Sequence, residues 1–230
     1  MSTPCTDIME EGGQRLGLAL DQAALARLDR YFSELRKWNR TFNLVAKAPE
    51  REILETHFLD SLTLLALIPD PSGETLLDVG SGAGFPGLAL KLARPELEVA
   101  LVEPRQKRVS FLRQVIRTLG VEGVRVYEER LEPGQDTLGG EARRFSLITS
   151  RAFTTIAPFL ALAAPFSPPG GRVICMKGPK GAAEAAQWQA EQPESPYRLI
   201  ATRAFTLPFS GADRQLLVFE KAAEGRRATA

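Results

Sequence analysis

Three alternating glycines, Gly80, Gly82 and Gly84, lie between a short apolar run at 75–79 and a helical pattern at 86–93. They belong to the segment Asp78-Val79-Gly80-Ser81-Gly82-Ala83-Gly84-Phe85-Pro86-Gly87. Glycine accepts positive φ and lets a ligand come close to the main chain. A strand that passes into a helix through such a loop restricts the chain to a small set of open α/β sheets. Ligands of those sheets bind at the carboxyl ends of the strands, where this loop lies.

The rest of the pattern agrees. Short apolar runs at 99–102, 124–127, 145–149 and 172–176 predict further strands, and 106–119, 156–164 and 182–190 predict helices. The alternation implies a mostly parallel sheet with helices on both faces, a Rossmann-like α/β architecture. Two last runs, 198–205 and 215–219, have no helix between them and are separated by Pro208 and Gly211, so they read as a hairpin. The sheet then has seven strands, the last antiparallel to its neighbours.

Ahead of the sheet, Asp21 as an N-cap and Leu25, Leu28, Phe32 and Leu35 at helical spacing predict one helix, continued by Trp38 and Phe42. A second helix starts near Pro49 and buries Ile53, Leu54, Phe58, Leu62 and Leu65. Pro69 to Gly73 marks the internal boundary. The expected organisation is a flexible N-terminus over 1–20, a helical extension over 21–73, the sheet domain over 74–221 and a flexible tail over 222–230.

Composition narrows the function. Lys plus Arg number 29 against 28 Asp plus Glu, a net charge of +1. That argues against a protein that coats nucleic acid and leaves room for local basic patches. One histidine and two unclustered cysteines, Cys5 and Cys175, argue against a metal site and a disulfide framework. The N-terminal stretch is unlike a signal peptide, and apolar runs such as 62–68 are too short to span a bilayer. A cytoplasmic monomer with no membrane association is expected.

Two ligands compete for the glycine loop. Gly82, Gly84 and Gly87 also spell the G-x-G-x-x-G pattern of nicotinamide-dependent oxidoreductases, in which the loop cradles a pyrophosphate. A carboxylate at the strand end is unwelcome there, and Asp78 occupies that place. Asp78 suits a cationic ligand, such as the amino group of S-adenosylmethionine. Glu103 ends the second strand 25 positions later, where a carboxylate can accept from both ribose hydroxyls of either nucleoside. The residues alone define a nucleoside-binding α/β protein, most consistent with a methyltransferase. A nicotinamide-dependent oxidoreductase and a non-catalytic nucleoside- or RNA-binding module remain as alternatives.

The loop, followed by Leu101-Val102-Glu103, Lys107-Arg108 and Phe111-Leu112, resembles the small-subunit ribosomal RNA guanine-N7 methyltransferases, also called glucose-inhibited division protein B. The likeness continues in Trp38-Asn39-x-x-x-Asn43-Leu44, His57-x-x-Asp60-Ser61-Leu62, Ser150-Arg151-Ala152-Phe153, Lys177-Gly178 and Arg214. It spans roughly residues 30–220. The resemblance implies a seven-stranded S-adenosylmethionine-dependent methyltransferase fold with an N-terminal helical extension. It implies S-adenosylmethionine as methyl donor and guanine N7 of 16S rRNA as acceptor, in the small ribosomal subunit or an assembly intermediate. Carried over residue by residue, it implies cofactor contacts at Gly80, Phe85, Glu103, Leu131, Glu132 and Arg151, beside the loop residues Asp78, Gly82 and Gly84. Pro104 and Leu131 depart from the residues common in the family at those places.

Guanine N7 carries a lone pair and no proton, so its methylation needs alignment more than a general base. Arg151 is expected to position the methionine carboxylate, the target nucleotide or both, with a structural salt bridge as the alternative. Lys177 is expected to meet phosphate or substrate unless it is a solvated strand-end lysine. Phe153 is expected either to stack on a flipped guanine or to pack in the core. Arg105, Lys107, Arg108, Arg113 and Arg117, just before and within one helix, and Arg36, Lys37 and Arg40 on another, are candidate phosphate contacts. His57 is expected to pair with Asp60 one helical turn away and to anchor its helix.

Overall fold

Each apolar run after residue 73 becomes a strand of one sheet in the computed structural model, which describes residues 3–68, 70–151 and 154–223. The strands are β1 (Thr75–Val79), β2 (Glu98–Val102), β3 (Val124–Tyr127), β4 (Leu147–Arg151), β5 (Arg172–Lys177), β6 (Tyr197–Thr206) and β7 (Asp213–Lys221). They lie in the order β3-β2-β1-β4-β5-β7-β6. Only β7 is antiparallel to its neighbours, β5 and β6. A separate two-residue ribbon pairs Thr137–Leu138 with Glu141–Ala142.

The helices are α1 (Pro4–Arg15), α2 (Gln22–Phe42), α3 (50–67), α4 (Gly87–Ala93), α5 (Gln106–Leu119), α6 (Ile156–Ala163) and α7 (Gly181–Glu191). Strand β4 is shifted from the expected 145–149 because the Phe145 N–H donates to the Phe166 carbonyl at 2.8 Å rather than to a neighbouring strand. The shift makes Arg151 the last residue of β4.

Successive strand residues point to opposite faces of the sheet, and both faces are apolar. Leu76, Leu101, Ile174, Met176, Leu216 and Val218 join one cluster with α1–α5. Leu77, Ala100, Val102, Val173, Leu217 and Phe219 join the other with α6 and α7. Double burial of this kind is what covered parallel sheets require. The N-terminal helices therefore share a core with the sheet.

The segment expected to be a loose lead-in, 1–20, instead carries α1. Thr3 caps it and Pro4 opens it. It contains paired glycines, and a Cβ on Gly12 would stand 2.2 Å from Leu59 Cδ1. Glycine is there because α1 lies close against α3. Cys5 and Met9 are buried in the same contact.

Helix α2 begins at the expected cap, where Asp21 Oδ1 accepts from the Ala24 N–H at 2.6 Å. Helix α3 buries Ile53, Leu54, Phe58, Leu62 and Leu65 as expected, but it is not uniform. Leu54–Leu59 forms a π-helical turn between α-helical segments, and Thr63–Leu67 tightens to a 3-10 end. Such turns widen the ladder and free main-chain groups for other partners. Glu55 on this turn is buried and accepts from the Phe209 and Ser210 N–H groups at 2.6 and 2.9 Å, which ties α3 to the tip of the β6–β7 hairpin.

Candidate active site

A cleft of about 810 Å³ opens at the carboxyl ends of the strands, beside the point where the strand order reverses between β1 and β4. That is where open α/β sheets bind ligands. The glycine loop forms one wall. Gly80 and Ser81 donate their N–H groups to the Val102 carbonyl at 2.9 and 3.0 Å, which folds the loop over the end of β2. Gly80, Gly82 and Gly84 have φ of 75°, 60° and 102°, conformations that residues with a Cβ rarely adopt.

Glu103, at the end of β2, is almost wholly buried and lines the cleft. Its Oε2 accepts from the Gly82 N–H at 2.9 Å, and its Oε1 from the Arg105 N–H at 2.9 Å. The Arg108 guanidinium lies 3.5 Å from Oε2. A carboxylate oxygen has a second lone pair, so the side chain both braces the loop and retains acceptor capacity for a ligand.

The loop residues divide by role. Gly80, Gly82 and Phe85 line the cleft, together with Leu131 and Pro104. Gly84 does not: a Cβ there would meet the Tyr31 hydroxyl at 2.8 Å and Leu88 Cβ at 2.9 Å. Asp78 lies beneath the loop, fully buried, and its Oδ2 accepts from the Gly87 N–H at 2.8 Å. Its Oδ1 has no hydrogen-bond partner, and burial pushes its carboxyl up to about 7. Asp78 thus supports the loop from below and is not among the residues that line the cleft. Glu132 is exposed and its neighbour Leu131 is the lining residue.

Arg151 lines the opposite wall. Its Nη1 donates to the Thr56 carbonyl on the π-helical turn at 2.6 Å, and its Nη2 lies 2.7 Å from His57 Nδ1. Asp60 Oδ2 is 3.7 Å from Nη1, and the guanidinium carbon lies 5.5 Å from the Phe85 ring centroid. Burial first and then the arginine push His57 down to about 4, so it is a neutral acceptor for Arg151. The expected His57–Asp60 pair is replaced by a shared partner: both side chains face Arg151. Asp60 also lies 3.5 Å from Nε of Arg214, a cleft residue on β7.

Lys177 ends β5 and lines the cleft, where it meets Glu184 at 3.0 Å and the Thr154 carbonyl at 2.9 Å. Ala152 and Phe153 lie outside the described residues. The basic clusters are partly neutralised: Arg36 pairs with Glu50 at 2.7 Å, and Arg113 with Glu128 at 3.3 Å. Among the described residues no group of three or more His, Cys, Asp or Glu could hold a metal ion. None of the described helices is long and apolar enough to cross a membrane.

Strand order, glycine loop and strand-end carboxylate together define a Rossmann-like fold of the S-adenosylmethionine-dependent methyltransferase class. Two solved structures share the fold. A methyltransferase from Pyrococcus furiosus is 17% identical, with a TM-score of 0.56 over 86% of this chain and 99% of that one. MtNAS, in a complex with S-adenosylmethionine, is 16% identical with a TM-score of 0.55 over 97% of this chain and all of that one.

The model of the family GidB, described as rRNA small subunit methyltransferase G, matches residues 24–207, and the chain belongs to that family. The protein named ribosomal RNA small subunit methyltransferase G from Desulfotalea psychrophila is 46% identical over 91% of this chain and 95% of its own length. The protein of the same name from Myxococcus xanthus is 44% identical over 94% and 96%.

Proposed function

We infer that this protein transfers a methyl group from S-adenosylmethionine to N7 of a guanine in 16S rRNA. The observation that carries this reading is the cleft itself: a glycine loop braced by a strand-end carboxylate, in a chain of this family. The lining suits the donor. Glu103 retains lone pairs for the ribose hydroxyls, and Leu131, Pro104 and Val102 offer an apolar place for the adenine. That wall has room at Gly82, where an added Cβ would come no closer than 3.8 Å to the Arg108 guanidinium.

The bound donor supplies an electrophilic methyl on a sulfonium. The protein's part is alignment. The guanine nitrogen brings its own lone pair and loses no proton, so no base is needed. This agrees with His57, which is held neutral by burial and by Arg151 and is already engaged as an acceptor. Phe85 and Arg151 form the wall that orients the reacting groups. Lys177 stands at the rim of the same cleft. The acceptor is taken as 16S rRNA within the small subunit or an assembly intermediate, with the protein acting as a cytoplasmic monomer. Arg105 and Arg108 at the cleft and Arg40 on α2 are the phosphate contacts we favour.

Small subunits from a strain lacking the endogenous enzyme, incubated with labelled donor, test this reading. One new 7-methylguanosine in 16S rRNA, weakened by Glu103→Ala, is the expected result. Donor binding with no label in the rRNA would overturn the assignment and favour a binding module.

A further inference from the structure

Arg151 and Arg214 come from distant parts of the chain, the ends of β4 and β7, yet both guanidinium groups approach the same oxygen. Asp60 Oδ2 lies 3.7 Å from Arg151 Nη1 and 3.5 Å from Arg214 Nε. The carboxylate is 5% exposed, and its other oxygen, Oδ1, is buried without a partner. Two arginines around one acid leave one positive charge in excess.

The two arginines differ in what they have left to give. Arg151 is bound to the Thr56 carbonyl and to His57. Arg214 uses Nε on Asp60 and Nη1 on the neighbouring Asp213 carbonyl at 3.0 Å, while its Nη2 has no hydrogen bond to the described residues. A guanidinium fixed on one edge presents its remaining N–H groups in a set direction. Both arginines and Asp60 line the cleft.

Building on the methyltransferase reading, we propose that Arg214 binds a phosphate oxygen of the target nucleotide and that Asp60 is the positioning residue that aims it. The excess positive charge draws an anion to this wall, and the buried carboxylate fixes the guanidinium before the RNA arrives. A long side chain ordered in advance loses less freedom on binding. The donor's carboxylate is the other anion that could reach this wall, and the experiment separates the two.

Donor affinity is measured by equilibrium dialysis, and methyl transfer to small subunits is measured across a range of salt. Arg214→Ala should raise KM for the RNA substrate about tenfold and leave donor affinity within about twofold, the change expected for a lost charge-assisted hydrogen bond. The salt dependence of log kcat/KM should flatten by about 0.7–0.9, the loss of one phosphate contact. Arg214→Lys should recover the salt slope but only part of the KM, since a point charge lacks the fork.

Asp60→Asn should shift KM in the same direction, and its effect should shrink in the Arg214→Ala background. Unchanged RNA kinetics in Arg214→Ala would overturn the phosphate assignment. So would a tenfold loss of donor affinity, which would give the anion to the donor. Additive effects of the two substitutions would overturn the role of Asp60. If Asp60→Asn fails to fold, the two Arg214 variants still decide the binding role. If the wild type methylates nothing, the reaction reading fails by itself, and retention of 16S rRNA on filters by wild type and Arg214→Ala still tests the contact.

Discussion

The Tyr31 hydroxyl, on α2, donates to the main-chain carbonyl of Ala83 in the glycine loop. Tyr31 is fully buried, with the rings of Phe58 and Phe85 5.1 and 5.4 Å away. The helical extension thereby holds the loop from the side away from the ligand. Tyr31→Phe keeps the ring and leaves a buried carbonyl without its donor. Urea denaturation should show a loss of about 1–3 kcal/mol, and dialysis should show weaker donor binding. Full donor affinity in the variant would mean that the extension does not shape the loop.

Two loop glycines should fail in different ways. Gly84→Ala places a Cβ 2.8 Å from the Tyr31 hydroxyl and 3.0 Å from Leu112 Cδ2, at a φ of 102°. Overpacking of this sort costs about 1–3 kcal/mol, so the main loss should be in stability. Gly82→Ala meets nothing closer than 3.8 Å. Its positive φ costs about 1–2 kcal/mol, and its larger loss should be in donor affinity. Parallel denaturation and dialysis would show whether the two rankings cross.

Glu103→Gln keeps the shape of the side chain and removes its charge. One of the N–H groups of Gly82 and Arg105 then faces an amide NH2 instead of an oxygen. Hydrogen bonds to a charged acceptor contribute about 1.5–3 kcal/mol, so donor affinity should fall about ten- to hundredfold. Isothermal titration of donor into each protein reads this directly.

Two buried groups give opposing pH dependences. His57 is lowered from 6.5 to about 4 in the fold, so its contribution is full above pH 6.5 and is lost as pH falls toward 4. Asp78 is raised from 3.8 to about 7, so its contribution is full below pH 3.8 and is lost as pH rises through 7. Between about pH 4 and 6.5 the two nearly cancel. Asp78→Asn keeps an acceptor for the Gly87 N–H and removes the acid. Relative to wild type, its stability should rise with pH across that window. His57→Gln should show the reverse trend. Denaturation curves at several pH values check both signs.

The sheet was legible because each strand is a short apolar run bounded by turn residues, and the loop because glycines alternate at a strand end. Glu103 was legible from its place at the end of β2. Other features had no local signal. Arg151 meets Thr56 and His57 across more than ninety residues of sequence, and nothing in either segment points to the other. Asp60 sits three positions from His57, which suggests a pair within one regular helix. The π-helical turn and the two arginines redirect it. Asp78 looked like a ligand contact because it adjoins the glycines, but strand alternation turns it beneath the loop. Helix α1 carried its cap, Thr3, and its opening proline, Pro4, in plain view. What the sequence does not show is the tertiary contact that holds this helix, the close packing of Gly12 and Gly13 against Leu59 and Leu20.

The π-helical turn at Leu54–Leu59 also sets a phase. In an α-helix each residue turns the chain by about 100°, and a turn closed over five residues holds one more residue than its neighbours. Removing a single residue there would close the turn to the α-helical spacing of its neighbours and leave the phase of everything after it nearly unchanged. Asp60, Leu62 and Leu65 would keep their faces, whereas the Thr56 carbonyl and the His57 ring, which the extra residue turns toward Arg151, would lose that offset. The added residue therefore serves the cleft and not the core, and a one-residue deletion within it would spare the packing of α3 and unseat the arginine.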